Sequence, residues 1–427
     1  MGYKSDMKKI FSNFIPLLLL LAFFSPYIYS QGYLTFRTEQ EKIAEQARWR
    51  FGPFLIYPGI SFNNVGYDNN IYSMREEEDP ISDYTATVSP HATIYLLFKN
   101  RLIFSFSVNP AYVFYIEEKD NRALNISYSP EFRLLLLNRF VLSGNYQYQR
   151  GKIRVTSEFD SPEWQKINGF GGRLFFETSR ETSFGFTGSI KTMKYEDVTF
   201  PGQEFPLSNT LNREEKEGKV EFHYGLSKET FFFLNVGYTD YNFESIEAQG
   251  NNTYSYQLYS GISFPLLGKI RGTLSLGYKK FIPRDKARND FSGVVGDTSL
   301  EFRLGRFNFR LLYNKDTPFS YGANIFFIIN RYSVGASFYL TSFLRLEYDF
   351  SYGGGQYPEG ELVELPGGGF EEVKREDTYS VHSAGLVFRI VKKTGIGLKV
   401  DYWKRDSNIP GVGRNRTFIG GYLTFDF

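Results

Sequence analysis

The stretch that decides the fold is GGYLTFDF, Gly420–Phe427, at the carboxyl end of the 427-residue chain. Counting back, Phe427, Phe425, Leu423, Gly421 and Ile419 share one face of an extended chain, and Asp426, Thr424, Tyr422, Gly420 and Phe418 share the other, because successive strand side chains point to opposite sides. A terminus left in water frays, and apolar alternation serves nothing there. The stretch reads instead as a strand whose greasy face meets an apolar medium.

The same period of two runs through most of the chain. In the segment 344–352, Leu344, Leu346, Tyr348, Phe350 and Tyr352 oppose Arg345, Glu347 and Asp349. Around 271–279, Leu274, Leu276 and Tyr278 oppose Arg271, Thr273, Ser275 and Lys279. Leu102, Phe104, Phe106 and Val108 alternate with Ser105, Ser107 and Asn109 in the same way. No helix longer than about three turns is expected after Arg50.

Alternation fits two solvents. A soluble sandwich turns its apolar face inward to a dry core, whereas a membrane barrel turns it outward to lipid and lines its lumen with the polar face. Full charges decide between them. Arg173, Arg271, Arg303, Arg310, Arg345, Glu347, Asp349, Lys399 and Asp401 all lie on polar faces, and burying each in a packed core would cost several kcal/mol. A wet lumen imposes no such cost. The repeating units are also long, roughly 12 to 18 residues, where soluble strands cluster near 5–6 and a tilted membrane strand needs about 9–11.

Connections alternate in length. Short turns are expected at Lys99-Asn100, Leu137-Asn138, Ser179-Arg180, Ser227-Lys228, Leu267-Gly268, Gly305, Thr341-Ser342 and Lys392-Lys393. Longer polar connections fall near 67–81, 116–122, 150–164, 197–213, 244–251, 283–290, 315–321, 353–377 and 404–413. Nine loops and eight turns join about 18 strands in a closed antiparallel transmembrane β-barrel, all-β in class, with 16 as the alternative count. Closure follows from the medium, since hydrocarbon cannot satisfy an open sheet edge. Two segments leave the count open: YGANIFFIINRYSVGASFYL reads as one bent strand or two, and Pro90 sits in mid-strand. Tyr112, Tyr115, Tyr238, Tyr278, Tyr402 and Trp403 are expected in the interfacial girdles.

Composition agrees. The chain holds 44 Phe and 32 Tyr, yet its mean hydropathy is −0.33, which excludes a bundle of membrane helices. FIPLLLLLAFF (Phe14–Phe24) follows Lys4, Lys8 and Lys9 and precedes small and polar residues. It is too short to span a bilayer and reads as an export signal over 1–30, cleaved after Ser30. Removing it takes three lysines and Asp6, so the formal +2 of the chain falls to zero and no basic field remains for nucleic acid. The chain has no cysteine, which excludes disulfides, thiolate metal sites and cysteine nucleophiles. Residues 31–50 are polar and helix-prone: a periplasmic helix, a plug inside the barrel and an unstructured leader are all open readings. The barrel proper covers 51–427.

The segment Phe51–Ser73 resembles the opening strand of the β-barrel porin 2 family of outer-membrane proteins. Pro58, Gly66, Tyr67, Asp68, Asn70 and Ile71 carry the match. The resemblance implies an outer-membrane barrel, and some such proteins are associated with polysaccharide export. The closing stretch likewise resembles the carboxyl-terminal strand read by the barrel-assembly machinery, with Phe427, Phe425 and Leu423 as its apolar positions.

Histidines number three, His91, His223 and His382, on separate expected strands without ligand spacing, so no metal site is expected. His223, beside Glu221, is the best candidate for hydrolytic chemistry, but a solvated lumen residue is the simpler reading. The chain is therefore read as non-enzymatic, with no catalytic, cofactor or metal site. Arg271, Arg303, Arg310, Arg345, Glu347, Asp349, Lys399 and Asp401 are the candidate lumen-lining selectivity residues. The acidic 353–377 segment, with triple-glycine runs at 353–355 and 367–369, is a candidate for a loop folded inward opposite them; an external loop is the alternative. The expected function is a porin-like channel for passive diffusion of small solutes. An exopolysaccharide conduit with periplasmic export partners and a plugged structural or adhesive barrel are the alternatives. Expected partners are outer-membrane lipid and lipopolysaccharide, the assembly machinery and a second copy of the chain.

Overall fold

The computed structural model describes residues 36–75, 79–154, 162–178, 182–200, 203–227, 230–246, 248–267, 269–320, 324–364, 368–391 and 394–426. The expected export signal and Phe427 lie outside the described residues.

A helix, α1 (Phe36–Gln46), precedes a three-residue strand (Trp49–Phe51) that folds back on the first barrel strand. Eighteen strands then follow in antiparallel order. They are β1 (Phe54–Asp68), β2 (Asp83–Phe98), β3 (Leu102–Tyr115), β4 (Ala123–Leu136), β5 (Phe140–Arg154) and β6 (Pro162–Glu177). Next come β7 (Ser183–Tyr195), β8 (Arg213–Gly225), β9 (Phe231–Phe243), β10 (Thr253–Leu267), β11 (Ile270–Pro283) and β12 (Phe291–Leu304). The wall is completed by β13 (Phe307–Asp316), β14 (Ile328–Tyr339), β15 (Leu344–Glu364), β16 (Phe370–Val391), β17 (Thr394–Ser407) and β18 (Arg414–Asp426). A short helix, α2 (Leu207–Leu211), sits between β7 and β8. Each strand pairs with its sequence neighbours, and β18 pairs with β1, so the sheet has no edge. No helix among the described residues is long and apolar enough to cross a membrane.

Both open points of the strand count resolve. Ile328–Tyr339 is one strand, and Ile325 and Phe326 before it pack into an inward cluster instead of continuing it. Pro90 stays in β2 because the β2–β3 ladder steps from Val88↔Tyr112 to Ala92↔Val108, and Pro110 lies opposite in the same gap. Two residues without an N–H thus share one unpaired rung. Pro130 does the same between β4 and β5, where pairing steps from Tyr128↔Tyr148 to Glu131↔Asn145.

The apolar face points out. Leu274, Leu276 and Tyr278 on β11 are exposed, as are Phe184, Phe186 and Ile190 on β7, which suits hydrocarbon and not water. Tyr112, Tyr238, Tyr278 and Tyr402 share this face. Tyr115 and Trp403 do not: they line an internal recess with Asp68 and Arg416. The period of two forces the split, because Tyr112 and Tyr115, like Tyr402 and Trp403, are an odd number of residues apart.

The seam between β1 and β18 explains the residues of the resembling segment. Asn64 has φ 51° and opens a bulge that shifts register on both sides of β1. Beyond it Gly66 lies against Gly420, and a Cβ on Gly66 would fall 2.2 Å from the Ile419 carbonyl oxygen. Asp68 pairs with Arg416 of β18. Asn70, fully buried, donates from Nδ2 to the carbonyls of Met74 and Asn415 at 2.9 Å each. The segment therefore closes the ring.

Of the two readings of 353–377, the described residues follow the external one: β15 and β16 run to 21 and 22 residues and continue past the barrel rim as a hairpin, paired from Gln356↔Glu376 to Glu364↔Phe370 around a bulge at 356–360. Extended glycines accept strand geometry, and alternation persists on both arms, so pairing replaces looping. The connection shrinks to 365–369, of which 368–369 are described.

Candidate functional site

The inner wall is a charge lattice built by strand register. One rung runs Arg271↔Glu301↔Arg310↔Gly335↔Asp349↔Ser383↔Asp401 across seven strands, β11 to β17. Arg271 and Arg303 both pair with Glu301, the latter at 3.2 Å. Arg345 pairs with Glu347 at 2.5 Å, and Lys399 with Asp401 at 2.8 Å. Arg310 reaches Asp349 at 2.7 Å over the intervening strand. It can do so because Gly335 sits between them, where a Cβ would lie 2.4 Å from the Asp349 oxygen. The eight residues singled out in the sequence thus share one stretch of inner wall. Sequence reading missed their partner Glu301, and also the row Glu215, Glu217 and Lys219 that leads to Glu221 on β8, although its same-face charges repeat every second residue. Glu221 pairs with Arg173 at 3.0 Å and accepts from Thr187 Oγ1 at 2.5 Å.

Among the described residues, two segments enter the lumen. At the long-loop end, residues 317–320 and 324–327 between β13 and β14 fold inward. Phe319, Ile325 and Phe326 pack on inward-facing Phe243, Phe281, Phe291 and Val295. The inward structure at this end thus comes from these residues and not from 353–377, and apolar contact rather than charge holds it. Asn324 locks it to the projecting hairpin: its Oδ1 accepts from the Glu359 N–H at 2.6 Å, and its Nδ2 donates to the Glu359 carbonyl at 3.2 Å. Arg288, from the β11–β12 connection, holds the Glu359 carboxylate at 2.6 Å. Arg213 lies over the Phe319 ring, 4.7 Å from its centroid.

At the short-turn end, α1 (Phe36–Gln46) lies against the inner wall. Phe36 is 2% exposed among Ile103, Leu135, Val141 and Phe175. Its N–H donates to Glu177 at 3.4 Å, and Glu39 pairs with Arg133. Tyr57 Oη and Arg50 donate to the carbonyls of Ile43 and Ala44 near the helix end. An 11-residue helix is marginal alone, so these wall contacts hold it folded. A luminal recess of about 570 Å3 lies against Phe36 and Glu39. A second, of about 320 Å3, is lined by Asp68, Lys399, Asp401 and Arg416 near the seam.

The histidines do not converge: His91 is on β2, His223 on β8 and His382 on β16, and the described residues contain no group of acidic or histidine side chains fit to hold a metal. His223 Nδ1 lies 3.2 Å from Ser183 Oγ, between the rings of Phe175 and Phe231. Ser183 is 1% exposed, so this pair offers no approach for an ester. His382 faces outward, bonded to Tyr348 Oη at 2.9 Å and set against Phe350 and Tyr402.

Residues 45–426 match the family described as Putative beta-barrel porin 2. The comparison with curated proteins gives no match. Among solved structures, the outer membrane protein OpdK from Pseudomonas aeruginosa is 9% identical, aligned over 88% of this chain and 97% of OpdK at a TM-score of 0.45. The siderophore receptor PirA from the same organism is 9% identical over 87% of this chain and 80% of PirA, at 0.44. The FrpB iron transporter from Neisseria meningitidis is 10% identical over 82% of this chain and 62% of FrpB, at 0.43.

Proposed function

The chain belongs to the β-barrel porin 2 family, and from that premise we propose that it is a porin-like channel of the bacterial outer membrane through which small solutes diffuse passively. The observation that carries the reading is the Arg310–Asp349 pair, which faces inward yet leaves its side chains 55% and 45% exposed. Water therefore reaches the inner wall between the two constrictions. A barrel of this strand number is wide enough for an aqueous lumen where segments do not fill it. In this reading short turns lie in the periplasm and long loops outside, with α1 at the periplasmic mouth and the inward residues around Phe319 and Phe326 at the external one. The paired charges of the wall bias which ions and zwitterions pass, with Arg271, Arg303, Arg310, Arg345, Glu347, Asp349, Lys399 and Asp401 as the selectivity residues. Leu423, Phe425 and Phe427 serve as the signal to the assembly machinery. The reaction class is transport without covalent chemistry.

Purified folded protein in a planar lipid bilayer tests this. Stepwise current at symmetric salt is the expected result. A second reading, a barrel plugged by its own segments, is favoured by the two inward structures, and silence in the bilayer would replace the channel with it.

A further inference from the structure

On β6 the inward positions at mid-wall are Gly169 and Gly171, while the strands on either side carry full side chains. Gly171 lies between Asn145 of β5 and Ser189 of β7, and Gly169 between Gln147 and Lys191. Two missing side chains on the middle strand make a trough, and it forms the floor of the recess of about 570 Å3 beside α1. A Cβ on Gly169 would meet nothing nearer than 3.8 Å, whereas one on Gly171 would lie 2.4 Å from Asn145 Oδ1. The amide of Asn145 thus leans over the gap that Gly171 leaves.

The polar groups around the trough are of two kinds. Charges are consumed by one another: Arg133 with Glu39 and Glu131, Arg173 with Glu221, Lys191 with Glu215 at 3.8 Å. The neutral groups are not. Among the described residues, the hydroxyls of Ser143 and Ser189 and the amides of Asn145 and Gln147 make no side-chain hydrogen bond to the protein. An ionic solute would have to displace existing ion pairs. A solute rich in hydroxyls would instead find a row of open donors and acceptors, each side chain able to serve as both. The recess volume lies within the range, about 300–1,000 Å3, that holds small ligands.

We propose that this trough is a subsite for an uncharged polyhydroxylated solute of mono- or disaccharide size. The solute's route rests on the channel reading above; its binding does not. Gly169 and Gly171 shape the floor, and Asn145, Gln147, Ser143 and Ser189 supply the hydrogen bonds.

The test uses the folded chain in detergent micelles, with sucrose as the probe and citrate and lysine as charged controls, followed by saturation-transfer NMR. Sucrose is expected to bind saturably and the controls not. Gly169→Leu, which the open space at that position accommodates, should weaken sucrose binding about tenfold or more. Asn145→Ala/Gln147→Ala should weaken it in the same direction without altering the backbone of β6. Both variants should keep the far-UV spectrum and heat-modifiable gel mobility of the parent. No saturable sucrose binding, tighter binding of citrate or lysine, or sucrose affinity unchanged in both variants overturns the subsite. Bilayer current with no sucrose binding sinks this proposal alone. Sucrose binding without current leaves it standing and removes the channel.

Discussion

Arg416 on the last strand grips Asp68 on the first. Its Nε lies 2.9 and 2.8 Å from the two carboxylate oxygens, and the Asp68 side chain is 3% exposed. The pair bridges residues 348 apart in sequence, at the one place where the sheet must meet itself. Arg416→Ala would leave a buried carboxylate without its cation. The expected loss is about 2–3 kcal/mol, below the figure for a fully buried pair because Arg416 is 25% exposed. Arg416→Ala/Asp68→Asn should recover part of it, since the remaining group is then neutral. Urea unfolding in lipid vesicles measures both, and an Arg416→Ala chain as stable as the parent would show the seam to hold without its clamp.

Gly66 tests the same seam through backbone approach. A methyl group there would collide with backbone at 2.2 Å, while one on Gly218 in β8 meets nothing within 4 Å. Backbone cannot swing aside as a flexible side chain can. Gly66→Ala should therefore slow or prevent acquisition of the heat-modifiable folded band, and Gly218→Ala should fold like the parent. Equal folding yields for the two would mean that the seam opens locally at no cost.

The inward residues around Phe319 and Phe326 make a prediction about current. Phe319 and Phe326 anchor them, and Asn324 ties them to Glu359. Truncating a buried Phe costs about 3–5 kcal/mol, more than a short loop holds in reserve. Phe319→Ala/Phe326→Ala should raise single-channel conductance and add current noise as the segment leaves the wall. Asn324→Ala should add noise with a smaller rise. Conductance unchanged in the double variant would place the narrowest point elsewhere.

What the sequence disclosed follows from what is periodic. The strands and their outward face are local and repeat every second residue, so alternation, punctuated by turn residues, made the eighteen-strand reading available beside sixteen. The charge lattice was half readable: Arg345, Glu347 and Asp349 declare a common face, but Arg310 meeting Asp349 over Gly335 depends on register between strands, which no single strand encodes. The inward residues around Phe319 and Phe326 escaped the sequence reading for a physical reason. Acidity and glycine drew attention to 353–377, whereas a loop entering a barrel must bury surface, and the apolar NIFF at Asn324–Phe327 carried that signal inside a segment taken for part of a strand. Asp68 and Asn70 were visible as a resembling motif, yet their work on β18 appears only once the ring is closed.

Charge substitution on the inner wall should move ion preference in opposite directions. Asp349→Asn leaves Arg310 without its partner and should shift the reversal potential in a potassium chloride gradient toward anions. Arg310→Gln should shift it toward cations. Both shifts should shrink between 0.1 M and 1 M salt, as the screening length falls from about 10 Å to about 3 Å. Shifts of the same sign in the two variants would mean that the pair does not face the ion path.

The docking of α1 can be followed without measuring current, because the chain has no cysteine. Gln40 is 7% exposed where the helix lies on the wall, so a thiol at Gln40→Cys should react slowly with a bulky maleimide. Phe36 contributes the fully buried apolar contact of the helix, Ile43 packs partly buried against the same cluster, and the remaining ties are polar and open to competition from water. Phe36→Ala removes more than those ties supply, on the same estimate of about 3–5 kcal/mol for a buried Phe. Once off the wall, an 11-residue helix cannot hold its fold. Gln40→Cys/Phe36→Ala should therefore label many times faster than Gln40→Cys alone, and its single-channel conductance should rise as the short-turn mouth clears. Equal labelling rates would mean that Ile43, the Glu39–Arg133 pair and the Tyr57 bond keep the helix seated without Phe36.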